Sequence, residues 1–119
     1  MMENLRRVNA AGIRIATATD AGHPLTFHGP SIYTEMEAME KAGLSPKEII
    51  VMSTQNGAGV MGRLKDIGTL EKDKIADLVV LTEDPAKSTS AFRTITHVMR
   101  AGKLNAIQYF SNQSSQSQD

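Results

Sequence analysis

The chain has 119 residues, enough for one domain with a modest core, and its formal net charge is zero, which does not indicate a nucleic-acid-binding protein. It has no cysteine, which excludes a disulfide framework and a thiolate metal site, and no apolar run approaches the roughly 20 residues of a membrane span. Because the first residues lack the basic and apolar regions of a signal peptide, we expect a soluble, cytoplasmic chain.

The sequence of the first part of the chain predicts a short helix and then a buried strand that ends in an acidic residue. Residues 3–11 have apolar side chains at helical spacing, and Gly12 ends the helix. Residues 13–20 form a nearly continuous apolar run, which is typical of a mostly buried strand in a parallel sheet. Functional groups in such proteins lie at the carboxyl ends of strands, so Asp20 is a candidate site residue. The alternative is that Asp20 only caps the following turn.

Two helices follow a loop at residues 23–30. The first is predicted over 31–42, and its methionines are better explained as core residues than as functional ones. The second is predicted over 45–58, because Ser45 and Glu48 have the spacing of a capping box.

The last part of the chain predicts strands without helices between them, which indicates a separate β layer. Residues 67–70 and 75–81 flank a charged turn and are predicted to pair. A polar connection leads to a second pair at 95–99 and 104–107. The tail, residues 108–119, is nearly all polar, and we expect it to be disordered.

Several stretches together carry a family resemblance, because they occur in a characteristic order and spacing. They are Ala18-Thr19-Asp20-Ala21-Gly22, His28-Gly29, Gly43-Leu44-Ser45-Pro46-Lys47-Glu48, Gly68-Thr69-Leu70-Glu71 and Lys74-Ile75-Ala76-Asp77-Leu78-Val79-Val80-Leu81. The chain resembles the C-terminal part of metal-dependent amidohydrolases of the imidazolonepropionase-like and Xaa-Pro dipeptidase-like branch. The last two stretches are the most specific to this superfamily.

The resemblance implies an α/β fold and a division of the chain. Residues 1–62 match the end of a (β/α)8 barrel, with residues 13–20 as its last strand. Residues 63–107 match the C-terminal portion of a small β-sandwich, and 108–119 remain as the tail. The implied activity is hydrolysis of C–N bonds of the amide or peptide type, with dipeptides as favoured substrates, by a metal-activated water.

The resemblance also implies site residues. Asp20 matches a catalytic carboxylate that contacts the metal, with zinc as the metal expected in full-length members, and takes a proton from the water. His28 matches a position near the active-site mouth and is a candidate substrate contact. The alternative for both His23 and His28 is a solvated loop histidine. The His-x-His motif of the family does not occur in this sequence. His23 and His28 with Asp20 would make a poor metal site on one loop, so we expect the isolated chain to bind no catalytic metal and to be inactive.

Three hypotheses therefore follow. The chain is the C-terminal segment of an amidohydrolase, a non-enzymatic fragment that folds as a homo-oligomer, or one half of a split hydrolase whose partner is the missing N-terminal barrel portion. For a homo-oligomer we expect a two-fold dimer that buries residues 13–19 or 75–81. His97, within a β run, is expected to be a packed or edge residue.

Overall fold

The computed structural model describes residues 2–20 and 29–108, which form a helical region followed by a small sheet. The helical region consists of α1 (Met2–Ala10), α2 (Pro30–Lys41), α3 (Pro46–Val51), a π-helical turn (Met52–Asn56) and α4 (Gly57–Val60). After it come β1 (Leu78–Leu81), a 3-10 helix (Thr89–Thr94), β2 (Ile95–Arg100) and β3 (Lys103–Ala106). Within the described ranges, every helix is too short or too polar to cross a membrane.

The predicted helices are confirmed, and local signals explain where they begin. Ser45 Oγ accepts a hydrogen bond from the amide of Glu48, and the Glu48 carboxylate accepts one from the amide of Ser45 at 2.8 Å. This capping box satisfies amides at the start of α3 that have no partner within the helix. From there the chain stays helical to Val60, because the π-helical turn joins α3 directly to α4.

A cluster of buried apolar side chains holds α2 and α3 together. Its members are Met36, Met39, Ala42, Leu44, Ile49 and Met52. Ile49 is fully buried, and partly buried side chains from other segments, including Leu5 and Phe92, pack against the cluster. Each large apolar side chain buried here contributes roughly 1.5–3 kcal/mol. The helical region therefore has a core of its own.

Helix α1 is joined to this core by Arg6, which reaches the end of α2. Arg6 Nε donates a hydrogen bond to the carbonyl of Ala42. Gly43 follows with φ +98°, and a β-carbon there would lie 3.1 Å from Arg6 Nε. Glycine thus permits both the left-handed end of α2 and the close approach of the arginine.

Residues 13–20 do not form the predicted strand. They have no strand partner in the described part of the chain, and Ile13 is 58% exposed, so the expectation of a mostly buried strand is wrong here. An extended segment becomes a strand only when a neighbour accepts its amides and donates to its carbonyls. The described residues place helices beside this segment, not strands.

The predicted pairing of residues 67–70 with 75–81 is also wrong. Residues 67–70 lie in a loop, and Lys74 holds that loop together by donating to the carbonyl of Leu64 at 2.8 Å. Gly68 packs so closely on the end of the helical region that a β-carbon there would lie 2.5 Å from the Ala58 β-carbon. Tertiary packing therefore overrides the local β pattern.

The sheet has the order β1-β2-β3, and both pairs are antiparallel. The strand predicted over 75–81 is present as β1, but it pairs with β2, in a register that places Val79 opposite Val98. The pairing predicted for 95–99 with 104–107 is confirmed as β2 with β3. Its turn is fastened to the start of β1, because Asp77 Oδ1 accepts a hydrogen bond from the amide of Ala101 at 2.7 Å.

The sheet lacks a buried face. Every residue of the three strands is half-buried or exposed, and Val80 and Leu104 are 40% and 50% exposed. An antiparallel sheet ordinarily packs one face against a core. The prediction of a disordered tail at 108–119 lies outside the described residues, except for Gln108.

Candidate functional site

Asp20, the candidate catalytic residue, lies at the end of the extended segment of residues 13–20. Its φ is +48°, in the left-handed region that aspartate tolerates better than most residues, and its side chain is exposed. Among the described residues, no hydrogen bond or ion pair involves its carboxylate. The described residues therefore leave the carboxylate accessible to water and to a ligand.

The π-helical turn fastens the segment that carries Asp20. The carbonyl of Met52 accepts a hydrogen bond from the amide of Thr17 at 3.3 Å, and Asn56 Nδ2 donates to the carbonyl of Ile15 at 2.7 Å. A π-helical turn displaces backbone groups from the regular α-helical pattern and is frequent at functional sites. Here the turn supplies both a main-chain acceptor and a side-chain donor to the segment.

Helix α2 fastens the same segment at a second point. Glu35 Oε1 accepts a hydrogen bond from the amide of Ala18 at 3.1 Å. Glu35 is half-buried, and Ala18 lies two residues before Asp20. The end of the segment is thus held between the π-helical turn and α2.

Further along α2, two glutamates bind the 3-10 helix. Glu40 Oε2 accepts hydrogen bonds from the hydroxyl and the amide of Thr89, which is fully buried, and these bonds lower the pKa of the Glu40 carboxyl. The Arg93 guanidinium pairs with Glu37 at 2.6 Å and lowers the pKa of that carboxyl. These contacts connect the helical region to the segment before β2.

Of the three histidines in the sequence, His97 alone lies among the residues that the structure describes. His23 and His28 lie outside the described residues, so the candidate substrate contact at His28 stays a prediction. His97 is half-buried in β2, the central strand, and its Nδ1 lies 3.0 Å from Thr96 Oγ1. The prediction of His97 as a packed or edge residue agrees with this half-buried position in the sheet.

Asp20 alone does not make a metal site. Across residues 2–20 and 29–108, no three His, Asp, Glu or Cys side chains lie together in a way that could hold a metal ion. One exposed carboxylate supplies a single ligand, whereas a catalytic metal usually takes about three from the protein. Two shallow grooves beside the π-helical turn are lined by other residues, and Asp20 lines neither.

Sequence reasoning missed Glu35 and Asn56. In the sequence, Glu35 belongs to the polar face of its helix, and Asn56 precedes Gly57 near the end of the predicted helix over 45–58. The sequence does contain one signal for these two residues, because each polar residue lies close to apolar residues in its helix. That signal marks a side chain able to reach a neighbouring segment, but it does not say which segment.

Comparison with known proteins gives a consistent result. The sequence profile described as the amidohydrolase family matches residues 1–104. The chain is 34% identical over 106 residues to an imidazolonepropionase of Shouchella clausii, covering 85% of this chain and 23% of that protein. It is 30% identical over 115 residues to an N-substituted formamide deformylase of Arthrobacter pascens, covering 88% of this chain and 21% of that protein.

A solved structure agrees with these relatives. A Xaa-Pro dipeptidase with methionine bound in its active site is similar with a TM-score of 0.80 and 26% identity, over 88% of this chain and 25% of that one. The chain thus spans about a quarter of the length of the proteins it matches.

Proposed function

Because this chain belongs to the amidohydrolase family, we propose that it is the C-terminal segment of an enzyme that hydrolyses C–N bonds of the amide type. The observation that carries the proposal is the exposed Asp20, held at the end of the extended segment inside the region that matches the family. Residues 1–62 would complete a (β/α)8 barrel and residues 63–107 a small β-sandwich. The coverage of about a quarter of each relative supports the interpretation of this chain as a segment of a longer enzyme.

Asp20 acts in this proposal as the general base. Its carboxylate accepts a proton from the attacking water and delivers it to the nitrogen of the leaving group, so that proton transfer accompanies cleavage of the C–N bond. General-base catalysis of this kind typically contributes about 10²–10⁴-fold in rate. The exposure of Asp20 and its lack of a partner among the described residues support this role.

Dipeptides are the proposed substrate class. One similar structure is a Xaa-Pro dipeptidase, and one relative is an N-substituted formamide deformylase. A dipeptide and a formamide both contain an amide bond, which supports the reaction type more strongly than any one substrate. The family is generally metal-dependent, and a divalent metal, zinc in our proposal, would take Asp20 together with ligands from outside the described residues.

The test is Asp20→Asn in the complete enzyme, which is either the full-length protein or this chain reconstituted with the missing barrel portion. We expect kcat to fall about 10²–10⁴-fold without loss of folding, because the amide keeps the shape but not the basicity. Asp73→Asn is the matched control, since Asp73 is also an exposed aspartate with positive φ, at +69°. A folded Asp20→Asn variant with near-normal kcat would show that Asp20 is only a turn residue.

A second candidate function is that of a non-enzymatic fragment that folds as a homo-oligomer. The observation that favours it is the sheet with no buried strand residue, together with exposed apolar side chains such as Ile13. A two-fold dimer that pairs β1 or residues 13–19 with the same segment of a second copy would cover these groups. In the split-hydrolase hypothesis the missing barrel portion covers them instead.

Light scattering at low micromolar concentration separates these candidates. A dimer of the isolated chain is the expected result, because apolar groups left in water favour association. A monomer that unfolds cooperatively would contradict the homo-oligomer. Dimers that convert to a one-to-one complex on addition of the barrel portion would support the split hydrolase.

A further inference from the structure

We propose that Glu35 is a positioning residue for Asp20, which it holds through the backbone of Ala18. The inference rests on the proposed role of Asp20 as the general base. Glu35 touches no reacting atom in this proposal. Its function is to keep the last residues of the extended segment in the place that the carboxylate needs.

Few backbone amides of the segment have a hydrogen-bond partner in the described part of the chain. Within the described residues, the amides of Thr17 and Ala18 donate hydrogen bonds, whereas those of Arg14, Ile15 and Ala16 have no such partner. The bond from Ala18 to Glu35 is therefore the contact closest to Asp20 along the described backbone. Without that bond, Thr17 would be the last residue before Asp20 whose amide is held by a hydrogen bond to another described residue.

The amides of Thr17 and Ala18 point in different directions. Successive amides of an extended chain point to opposite sides. That of Thr17 meets the carbonyl of Met52 in the π-helical turn, and that of Ala18 meets the Glu35 carboxylate on α2. The segment is thus clamped from two sides by elements that both contribute to the buried cluster, through Met36 and Met52.

The acceptor of the Ala18 amide is a carboxylate. A carboxylate accepts a stronger hydrogen bond from an amide than a neutral oxygen does. Glutamine would retain an acceptor oxygen at the same place, whereas alanine would remove it. The pair of substitutions therefore separates the hydrogen bond from the charge.

The size of the expected effect follows from the demands of catalysis. Displacing a reacting group by about 1 Å can cost on the order of 10²-fold in rate. We expect Glu35→Ala in the complete enzyme to lower kcat by about 10–100-fold with KM changed less than about twofold. Glu35→Gln should restore kcat to within about threefold of the unmodified enzyme, because it keeps the acceptor.

Glu37→Ala is the matched control. It removes a carboxylate from the same helix, but that carboxylate pairs with Arg93. Its kcat should stay unchanged. If Glu35→Ala keeps a kcat within about twofold of the unmodified enzyme, or if Glu37→Ala lowers kcat equally, the positioning role is refuted.

A double substitution separates this inference from the proposed function. Once Asp20→Asn has removed the base, Glu35→Ala should lower kcat no further, since the two residues act as one unit. An additive loss would mean that Glu35 acts elsewhere and would overturn the inference. If Asp20→Asn alone leaves kcat unchanged, the proposed function fails, whatever Glu35 does.

The 119-residue chain offers a test that needs no activity. Amide hydrogen exchange should become at least about 10-fold faster at Ala18 in Glu35→Ala and stay unchanged in Glu37→Ala. The exchange of helix amides in α3 should not change in either variant. Equal exchange at Ala18 in the unmodified chain and in Glu35→Ala would refute the contact on which the inference depends.

Discussion

The helical region and the sheet differ in how far each provides its own partners. The helices bury a cluster that includes Met39, Leu44 and the fully buried Ile49. The sheet satisfies its backbone by pairing β1, β2 and β3, yet none of its residues is buried. Hydrogen bonding alone forms a sheet, but burial of apolar surface supplies most of the stability. The helical region can therefore stabilise itself, whereas the sheet requires another surface to cover it.

The largest effect is expected from a cavity in the helical core. Ile49→Ala should lower the free energy of unfolding by about 2–5 kcal/mol, because it removes buried methyl groups and leaves a cavity. Val80→Ala in the sheet is the counterpart, and because Val80 is 40% exposed we expect a cost of only about 0.5 kcal/mol. Urea denaturation of both variants measures the difference. Equal costs would contradict this difference between the two regions, since Val80 would then be buried in solution by another chain.

The next largest effect concerns the loop that packs on the helical region. Gly68→Ala should cost about 2–4 kcal/mol, because Gly68 has φ +98° and its new β-carbon would lie 2.5 Å from that of Ala58. Gly102→Ala is the control, since Gly102 has φ +79° but no atom within 4 Å of the added carbon. Thermal unfolding should show a cost of about 1–2 kcal/mol for Gly102→Ala. If the two variants unfold alike, the loop does not contact the helix in solution.

The smallest effect is expected at the connection between the two regions. Glu40→Gln should destabilise the chain by about 1 kcal/mol at neutral pH, because the charge-assisted hydrogen bonds from Thr89 become neutral ones. Glu3→Gln is the control: Glu3 pairs with Arg7 on the surface of α1, where an ion pair contributes less than about 0.5 kcal/mol.

The same connection predicts a pH dependence. The folded-state pKa of Glu40 lies below its ordinary value of 4.5, so its contribution is present above pH 4.5 and is lost as the pH falls through the folded-state pKa. The stability of the unmodified chain should therefore fall below pH 4.5, and that of Glu40→Gln should fall less. Denaturation curves between neutral and acidic pH measure this, and parallel pH profiles would contradict the assigned role of Glu40.

Local signals in the sequence were sufficient for the helices and for the second strand pair. The cap at Ser45 and Glu48 and the glycine at 43 act within a few residues, so they operate in the same way wherever the segment lies. The tight turn at 101–102 likewise brings β2 and β3 together without help from distant parts. Asp20 could be identified as a candidate because its position after an apolar run, and its family match, are properties of the sequence itself.

Which segments meet across long distances depends on the tertiary structure. Residues 67–70 have a strand-like pattern but lie in a loop, because Gly68 fits against Ala58, and β1 therefore pairs with β2. The hydrogen bond from Ala18 to Glu35 likewise cannot be predicted from the sequence, since a polar residue on a helix does not specify its partner. The physical reason is that capping and turn energies depend on neighbouring residues, whereas burial and strand pairing depend on which surfaces the whole fold brings together.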